Sequence, residues 1–198
     1  MDDAARAVPP LTPEALLARG EHRAAIEAAM DVYGADVFSF CWHNLKHRET
    51  AEDALQDVFL QAHRDIRRLE QPAKLRSWLM SIAAHRVYDA IDTRKRRQSR
   101  FDSNDEASEQ AIDTSVDRAD GPGEKLQGAR LAEALVQCLE KLSDMVRISV
   151  VMRFYGQLSF EEMAAATRTK SDTLQTRVSR ALPALRACLE AQGWDHHG

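Results

Sequence analysis

Apolar residues recur at helical spacing along almost the whole chain, and this periodicity limits the fold more than any other feature. One stripe comprises Leu55, Val58, Phe59, Ala62, Ile66 and Leu69, and another comprises Leu131, Leu135, Leu139 and Leu142. No long segment alternates apolar and polar residues with a period of two. The 198 residues include only 8 glycines and 6 prolines, too few for a fold with many hairpins. The sequence therefore predicts an all-α protein.

Residues that commonly begin or end helices divide this periodic pattern into separate helices. Side-chain caps are predicted at four helix starts: Thr12, Thr50, Ser159 and Ser171. Gly156 is predicted to end the helix that carries Val146, Val150 and Phe154. Pro183 lies inside an otherwise helical segment, so we expect a kink or a new helical start there.

Charge is distributed unevenly along a chain whose formal net charge is -4. Residues 86–100 hold six basic and two acidic side chains, and residues 168–186 hold five basic and one acidic. Between them, residues 102–124 hold eight acidic side chains and one basic, with few large apolar residues. Such a segment cannot bury enough surface to offset the entropy of ordering it. We therefore expect two small helical domains, at 12–97 and 125–191, joined by an acidic flexible linker at 98–124.

Several classes of protein do not fit this sequence. No apolar run approaches the length of a membrane span, and the acidic N-terminus has no signal-peptide core, so no membrane insertion is expected. The three cysteines are far apart, which argues against a disulfide framework and favours a cytoplasmic setting. His43 and His47 have a chelating spacing without further ligands nearby, so we expect no metal site. No phosphate loop or convincing catalytic triad is evident, and neither an enzymatic activity nor a cofactor is expected.

A short helix, a tight turn and a longer basic helix follow one another between Ser159 and Leu189. This order is typical of a helix-turn-helix, in which the second helix enters the major groove of DNA. The second helix leaves Thr173, Gln175, Thr176, Arg177, Ser179 and Arg180 outside its Leu174/Val178 stripe. Arginine and glutamine can read base edges, and hydroxyl groups can hold phosphates. A helical hairpin with a solvated basic face is the alternative interpretation, but the capping and turn length favour DNA binding.

Three segments resemble the sigma factors of the extracytoplasmic-function (ECF) class, in the sigma-70 family of RNA polymerase. They are AEDALQDVFLQAHRDI, LRSWLMSIAAHRVYDAIDTRKRR and, in the second half, LEKLSDMVRISVVMRFYGQLSFEEMAAATRTKSDTLQTRVSRALPALR. The resemblance covers about residues 14–97 and 129–189. It implies that the first domain is a region 2-like bundle that binds core polymerase and melts the minus-ten element. The second domain would be a region 4-like helix-turn-helix that recognises the minus-thirty-five element.

The resemblance also assigns roles to individual residues. Three residues on one helix face would contact the beta-prime clamp of core RNA polymerase: Asp53, Gln56 and Asp57. The minus-ten DNA would be contacted by Lys74, Arg76, His85, Arg86, Arg94, Lys95, Arg96 and Arg97. The minus-thirty-five DNA would be contacted by Arg168, Lys170, Ser171, Thr173, Gln175, Thr176, Arg177, Ser179 and Arg180. Region 4 would also bind the beta flap.

The chain departs from the family pattern at three places, and one of them is Gln175, where the family usually has lysine or arginine before a serine-arginine pair that is Thr176-Arg177 here. His85 stands where the family usually has asparagine, and the polar turn 167–170 replaces the usual leucine-glycine-valine turn. The expected function is that of an alternative sigma factor held inactive by an anti-sigma partner. Two other functions stay open: a sigma-like mimic that sequesters an anti-sigma factor, and an ordinary helix-turn-helix regulator that binds promoter DNA without polymerase.

Overall fold

The structure is a computed structural model that describes residues 11–100 and 122–194, apart from the side chains of residues 95, 97–100 and 122–127. Every regular element in those ranges is helical, which confirms the all-α prediction. The first unit contains α1 (Pro13–Ala18), α2 (His22–Leu45), α3 (Arg48–Asp65), two short 3-10 turns (Ile66–Arg68 and Pro72–Lys74) and α4 (Leu75–Arg100). The second unit contains α5 (Pro122–Glu140), α6 (Asp144–Phe154), α7 (Phe160–Thr167) and α8 (Ser171–Glu190).

The ends of α4 and α5 lie inside the segment predicted as a linker. Helix α4 continues to Arg100, and α5 begins at Pro122. The acidic residues between them, 101–121, lie outside the described residues.

Two of the four predicted helix caps are confirmed. The Thr12 hydroxyl accepts a hydrogen bond from the Ala15 N–H at 3.2 Å. Ser159 and Glu162 form a reciprocal capping box, in which each side chain accepts from the other residue's backbone N–H. These bonds satisfy donors that have no partner within the first turn.

The caps predicted at Thr50 and Ser171 are wrong, because both helices begin earlier than expected. Helix α3 has His47 as its N-cap, and the ring Nδ1 lies 3.5 Å from the Thr50 N–H, which donates to it. Thr50 is therefore already inside the first turn. Helix α8 has Lys170 as its N-cap, without a side-chain hydrogen bond, and Ser171 is its first residue.

The helix end predicted at Gly156 and the kink or new helical start predicted at Pro183 have different outcomes. The Gly156 N–H donates to the Val151 carbonyl at 3.0 Å, directly after the C-cap of α6. A Cβ at Gly156 would lie 2.7 Å from the Met152 carbonyl oxygen, so the close approach requires glycine. At Pro183, by contrast, α8 continues without a new start.

Helices α2, α3 and α4 form the core of the first unit. Each contributes fully buried side chains, among them Val37, Phe40, Val58, Leu79 and Met80. On α2, Ile26, Val37 and Cys41 are buried, whereas Met30 is 47% exposed. Trp78 packs against this core as a half-buried side chain.

The stripe predicted on α5 is only partly buried. Leu131 and Leu135 are exposed, whereas Ala134 and Cys138 face the interior. The smaller residues are buried because α5 packs on α8 around a second, small cluster of Cys138, Val150, Ala181 and Leu185.

A disulfide joins Cys138 on α5 to Cys188 on α8, and this overturns the expectation that the chain has none. The two Cα atoms are 5.8 Å apart although 50 residues separate the cysteines in sequence. Helical packing brings them together, and sequence spacing alone does not show this. Cys41 is the remaining cysteine and is buried as a free thiol.

The two units pack against each other and share one continuous core. Buried residues of both units, including Val87 and Ile91 from α4 and Ile148 and Met163 from the second unit, belong to the same cluster. Helix α4 contacts α6 and α7, and α2 contacts α6. The described part of the molecule is therefore closed, with the second unit lying along α4.

A buried arginine joins the units through polar contacts. The side chain of Arg147 on α6 is only 5% exposed and pairs with Asp144 at 2.8 Å. The same guanidinium donates to the Asn44 carbonyl of the first unit at 3.4 Å. Asp144 also pairs with Arg94 of α4 at 2.7 Å. Burial would raise the pKa of Asp144, but Arg147 and Arg94 outweigh this effect, and its pKa lies below the ordinary value.

We expect Asp144→Ala to destabilise the chain by about 3 kcal/mol, because it leaves the buried charge of Arg147 without its carboxylate. The contribution of Asp144 is complete above its ordinary pKa of 3.8 and is lost as the pH falls through the lower folded value. Urea unfolding at neutral and at strongly acid pH should show a difference from wild type only at neutral pH. The exposed Asp31 provides the control, since Asp31→Ala should leave stability unchanged at both.

Candidate nucleic-acid and protein interfaces

One face of α3 is acidic and open to solvent. Asp53, Gln56 and Asp57 are all exposed, which fits their prediction as a surface for a protein partner. Leu60 lies seven residues after Asp53 on the same face and is 53% exposed. Leu60 is not among the predicted polymerase contacts, although its helical spacing from Asp53 places it on the same face. We call these four residues the α3 face.

Two of the predicted minus-ten residues, Lys74 and Arg86, differ in their exposure to solvent. Lys74 ends a 3-10 turn just before α4 and is exposed. Arg86 points towards α3, where it donates to Gln61 Oε1 at 2.8 Å, and its Nε is buried without a hydrogen-bond partner among the described residues. Helix α4 therefore does not present Arg86 and His85 on one surface.

Arg76 on α4 contacts both the first and the second unit. Its guanidinium pairs with Asp36 at 2.9 Å and donates to the backbone carbonyl of Tyr155 in the second unit at 3.4 Å. The Tyr155 hydroxyl in turn donates to the Asp36 carbonyl at 3.3 Å. Burial and the nearby Asp36 raise the pKa of Tyr155, so this hydroxyl keeps its proton.

His85 and Tyr88, which lie one turn apart on α4, both contact the helix-turn-helix. His85 Nδ1 is 2.8 Å from the Ala166 carbonyl oxygen at the end of α7, which fits a donating N–H at that nitrogen. The His85 Nε2 lies 3.3 Å from Asp89 on the same helix. One turn further, the Tyr88 and Thr169 hydroxyl oxygens are 3.3 Å apart. The turn 167–170 therefore contacts α4 through Tyr88, and His85 contacts the residue just before that turn.

The basic end of α4 is only partly described. Arg94 pairs with Asp144 across the units, and its side chain is 55% exposed. Arg96 pairs with Asp92 on its own helix at 2.8 Å. Lys95 and Arg97 lie on α4, but their side chains are outside the described residues.

The helix-turn-helix predicted in the second unit is present as α7, the turn Arg168–Lys170 and α8. Arg168 adopts a left-handed conformation with φ 52°, which lets the chain reverse between the helices. The Thr169 hydroxyl donates to the Thr167 carbonyl at 3.2 Å. Arg168 and Lys170 are exposed on either side of this turn.

The predicted DNA-contacting residues of α8 divide into exposed and half-buried positions. Ser171 and Arg177 are half-buried. The hydroxyls of Thr176 and Ser179 donate to carbonyls of their own helix. The exposed residues are Thr173, Gln175, Thr176, Ser179 and Arg180.

A groove of about 550 Å³ runs between α6 and α8. Leu142 and Val146 form its apolar side, and Thr173, Arg177 and Arg180 line the other. The Nη1 of Arg177 is buried and has no hydrogen-bond partner in the described part of the chain. Arg177 therefore lies along a groove wall rather than projecting freely from the helix.

The described residues contain no metal-binding cluster. Within residues 11–100 and 122–194, no three histidine, cysteine, aspartate or glutamate side chains are arranged to hold an ion. None of the described helices has the length and apolarity needed to cross a bilayer.

Comparison with known families identifies both units. Residues 30–97 match the model for sigma-70 region 2, and residues 132–185 match the model for sigma-70, region 4. Together the two matches cover more than half of the chain. The chain belongs to the sigma-70 family. We therefore call the first unit region 2 and the second unit region 4.

Similar proteins extend the likeness over both regions. The ECF RNA polymerase sigma factor SigW of Bacillus subtilis is 27% identical over 79% of this chain and 84% of its own. The sigma factor RpoE of Bartonella quintana, solved with the anti-sigma factor NepR, superposes with a TM-score of 0.59 at 21% identity, over 83% of this chain and 96% of its own. CnrH, solved with the cytosolic domain of CnrY, gives 0.50 at 22% identity, over 90% and 96%. These two structures share the fold.

We expect Arg94→Asp to loosen the contact between region 2 and region 4, because it places a second carboxylate beside Asp144. The amides of α7 should exchange with solvent about fivefold faster, consistent with the modest strength of exposed ion pairs. Hydrogen exchange followed by mass spectrometry measures this rate. Arg68→Asp is the matched control, since Arg68 pairs within region 2. Equal exchange in both variants would contradict a role for this ion pair in the closed arrangement.

Proposed function

We propose that this chain is an alternative sigma factor that binds core RNA polymerase and directs initiation at specific promoters. The observation that carries the proposal is that region 2 and region 4 lie on one chain in this order, each with an exposed helix suited to a partner. The chain itself supplies binding surfaces and no catalytic step. A cytoplasmic location follows from this role, because promoter DNA and polymerase lie there.

The α3 face is the proposed docking surface for the polymerase clamp. Asp53 and Asp57 would meet basic side chains of the clamp, and complementary charge speeds and orients such an encounter. Leu60 adds an apolar contact at the end of the same face, where burial on binding contributes free energy that exposed charges do not. This combination explains why a large leucine is exposed beside two carboxylates.

Minus-ten recognition in this proposal requires region 4 to move away from α4. His85, Arg76 and Arg94 are among the proposed DNA contacts, and each is bound to region 4 in the closed arrangement. Binding of both regions to polymerase would separate them and release these side chains. Lys74, Lys95, Arg96 and Arg97 complete the proposed minus-ten surface, in which cations follow the phosphates without reading sequence. Arg86 points towards α3, so it would join this surface only after leaving Gln61.

Minus-thirty-five recognition is assigned to the turn and the first half of α8. Arg180, Gln175 and Thr173 are exposed and of types that read base edges or hold phosphates. Arg177 would leave its groove to reach a base, and its unsatisfied Nη1 lowers the cost of that movement. Arg168, Lys170, Ser171, Thr176 and Ser179 would contact the backbone.

Control by an anti-sigma partner is part of the proposal. The similar RpoE of Bartonella quintana was solved with the anti-sigma factor NepR, and the family resemblance implies such a partner here. A protein that binds the closed form would keep the α4 contacts in place and so withhold His85, Arg76 and Arg94 from the minus-ten DNA.

Transcription in vitro tests the whole proposal. The chain added to core polymerase should direct initiation from promoters that core enzyme alone does not use. Asp53→Arg with Asp57→Arg should lower core binding at least about tenfold, because repulsion replaces attraction on the α3 face. The helical circular dichroism spectrum should stay unchanged, since both residues are exposed. Asp31→Arg with Glu133→Arg, at exposed positions on α2 and α5, is the charge-matched control.

Other outcomes would favour the other two functions. A chain that binds an anti-sigma factor but never supports initiation would be a sigma-like mimic. Tight, selective binding to duplex promoter DNA without polymerase would indicate an ordinary helix-turn-helix regulator. Unchanged core binding by the Asp53/Asp57 variant would reject the α3 face as the docking surface.

We expect Arg180→Ala and Arg177→Ala each to weaken promoter binding of the polymerase complex by about 1–3 kcal/mol if the arginine reads a base. Binding to promoters with altered minus-thirty-five sequence should be weakened less, because the lost contact is sequence-specific. Arg186→Ala is the control, since Arg186 lies on the same helix and pairs with Glu190 beyond Pro183. A uniform loss on all sequences would instead assign the arginine to phosphate contact.

A further inference from the structure

We propose that Cys138 and Cys188 form a reversible thiol/disulfide modification site, through which peroxides and dithiols control how firmly α8 is held in region 4. The inference rests on the proposed function, because a chain that works on promoter DNA is surrounded by cellular reductants. Disulfides in such a compartment are usually redox-sensing or transient rather than structural. The pairing of these two cysteines in the structure therefore requires an explanation other than permanent cross-linking.

The two sulfurs differ in access, and this fixes the order of the chemistry. Cys138 is 1% exposed at the end of α5. Cys188 is half-buried, near the end of α8. A peroxide therefore reaches Cys188 first, and a dithiol attacks the same sulfur during reduction.

Oxidation proceeds in two balanced steps. The Cys188 thiolate attacks a peroxide oxygen, the O–O bond breaks, and a sulfenic acid and one water form. The Cys138 thiol then attacks the sulfenic sulfur, forming the S–S bond and releasing a second water. Two thiols lose two hydrogens and two electrons, and one hydrogen peroxide takes them up. Reduction by a dithiol reverses the bond, leaving an oxidised dithiol and two free cysteines.

A side chain beside the bond assists its opening. The Gln192 Nε2 lies 3.2 Å from Cys138 Sγ and 3.7 Å from Cys188 Sγ, and its N–H donates to sulfur. When the bond is cleaved, the leaving sulfur carries a negative charge that this N–H stabilises. Gln192 is thus a positioning residue for reversible exchange.

The bond matters to region 4 because little else holds α5 to α8. The cluster beneath it contains only Cys138, Val150, Ala181 and Leu185 as buried residues, whereas Leu131 and Leu135 of α5 are exposed. Pro183 has no N–H to donate within α8, so the helix is weakest between its DNA-reading half and the half that carries Cys188. Without the disulfide, the second half of α8 depends on this small cluster and on the partly buried residues packed against it, among them Leu142, Val146 and Leu189.

Loosening of the second half of α8 affects the DNA-contacting residues through the groove between α6 and α8. Leu142 and Val146 pack against the disulfide cluster and also line the groove that holds Arg177 and Arg180. The oxidised chain therefore holds in place the helix that carries both arginines, while their side chains stay free to turn towards DNA. The reduced chain allows α8 to shift, which weakens promoter contacts by region 4.

The test uses the full-length chain, treated with hydrogen peroxide or with dithiothreitol. Alkylation followed by mass spectrometry should show Cys138 and Cys188 blocked after peroxide and free after dithiothreitol, reversibly. Reduction should lower the melting temperature by about 10 °C, as expected for a bond that closes a long loop. Transcription dependent on the minus-thirty-five element should fall about fivefold.

Cysteine variants separate this bond from other effects of the reagents. Cys138→Ala with Cys188→Ala should match the reduced wild type and ignore both reagents. Cys41→Ala is the control and should keep the full redox response. Burial raises the pKa of the Cys41 thiol to about 12, so it does not react as a thiolate. If the double variant does not fold, the reagents on wild type still decide the question.

The outcomes distinguish the site from the proposed function. Thiols that remain free after peroxide, or a melting temperature that reduction leaves unchanged, would overturn the inference even in an active sigma factor. Equal transcription in both redox states would overturn its control of promoter binding. A reversible bond with no transcription in either state would support the modification site and reject the proposed function.

Discussion

The packing of region 4 along α4 is the interaction on which the rest of the structure depends. Helix α4 contributes buried side chains to the region 2 core and also contacts both α6 and α7. A single helix that serves two hydrophobic surfaces joins two small units into one core. Each unit by itself buries a modest area, and small cores are marginally stable. The closed arrangement adds the buried area that neither unit has alone.

Polar contacts give this packing a defined register. Apolar surfaces alone allow helices to slide, whereas Arg147 must lie where Asp144 and the Asn44 carbonyl can both reach it. A buried guanidinium without these partners would be strongly unfavourable. The same logic applies to Arg76, between Asp36 and the Tyr155 carbonyl. Arg76 is also one of the side chains that the proposed function assigns to the minus-ten DNA, so closing the molecule and binding a promoter would compete for it.

The local structure was predictable from sequence, and the contacts between distant residues were not. Helical periodicity and the Ser159–Glu162 capping box identified the class of fold and the helix-turn-helix, because both depend on residues close in sequence. The cap at Thr50 failed because α3 begins earlier, with His47 as the N-cap that accepts from the Thr50 N–H. The α5 stripe failed because burial depends on what packs against a helix, and α8 covers Ala134 and Cys138 rather than Leu131 and Leu135. The disulfide and the His85 contact likewise join residues that only the tertiary fold brings together.

Among the candidate site residues, the exposed α3 face follows from spacing, whereas the half-buried position of Arg177 requires the structure.

The family departures at His85 and in the turn 167–170 are best understood as one feature. A histidine N–H that meets a helix-end carbonyl satisfies an acceptor that α7 leaves open. Thr169 offers a hydroxyl to Tyr88, which the usual apolar turn would not provide. Each departure would weaken its own region if considered alone, since a polar turn packs less well and histidine differs in reach from asparagine. Together they complement each other across the contact between region 2 and region 4. Both departures therefore lie at or beside contacts of the closed form and close to residues that the proposed function assigns to DNA.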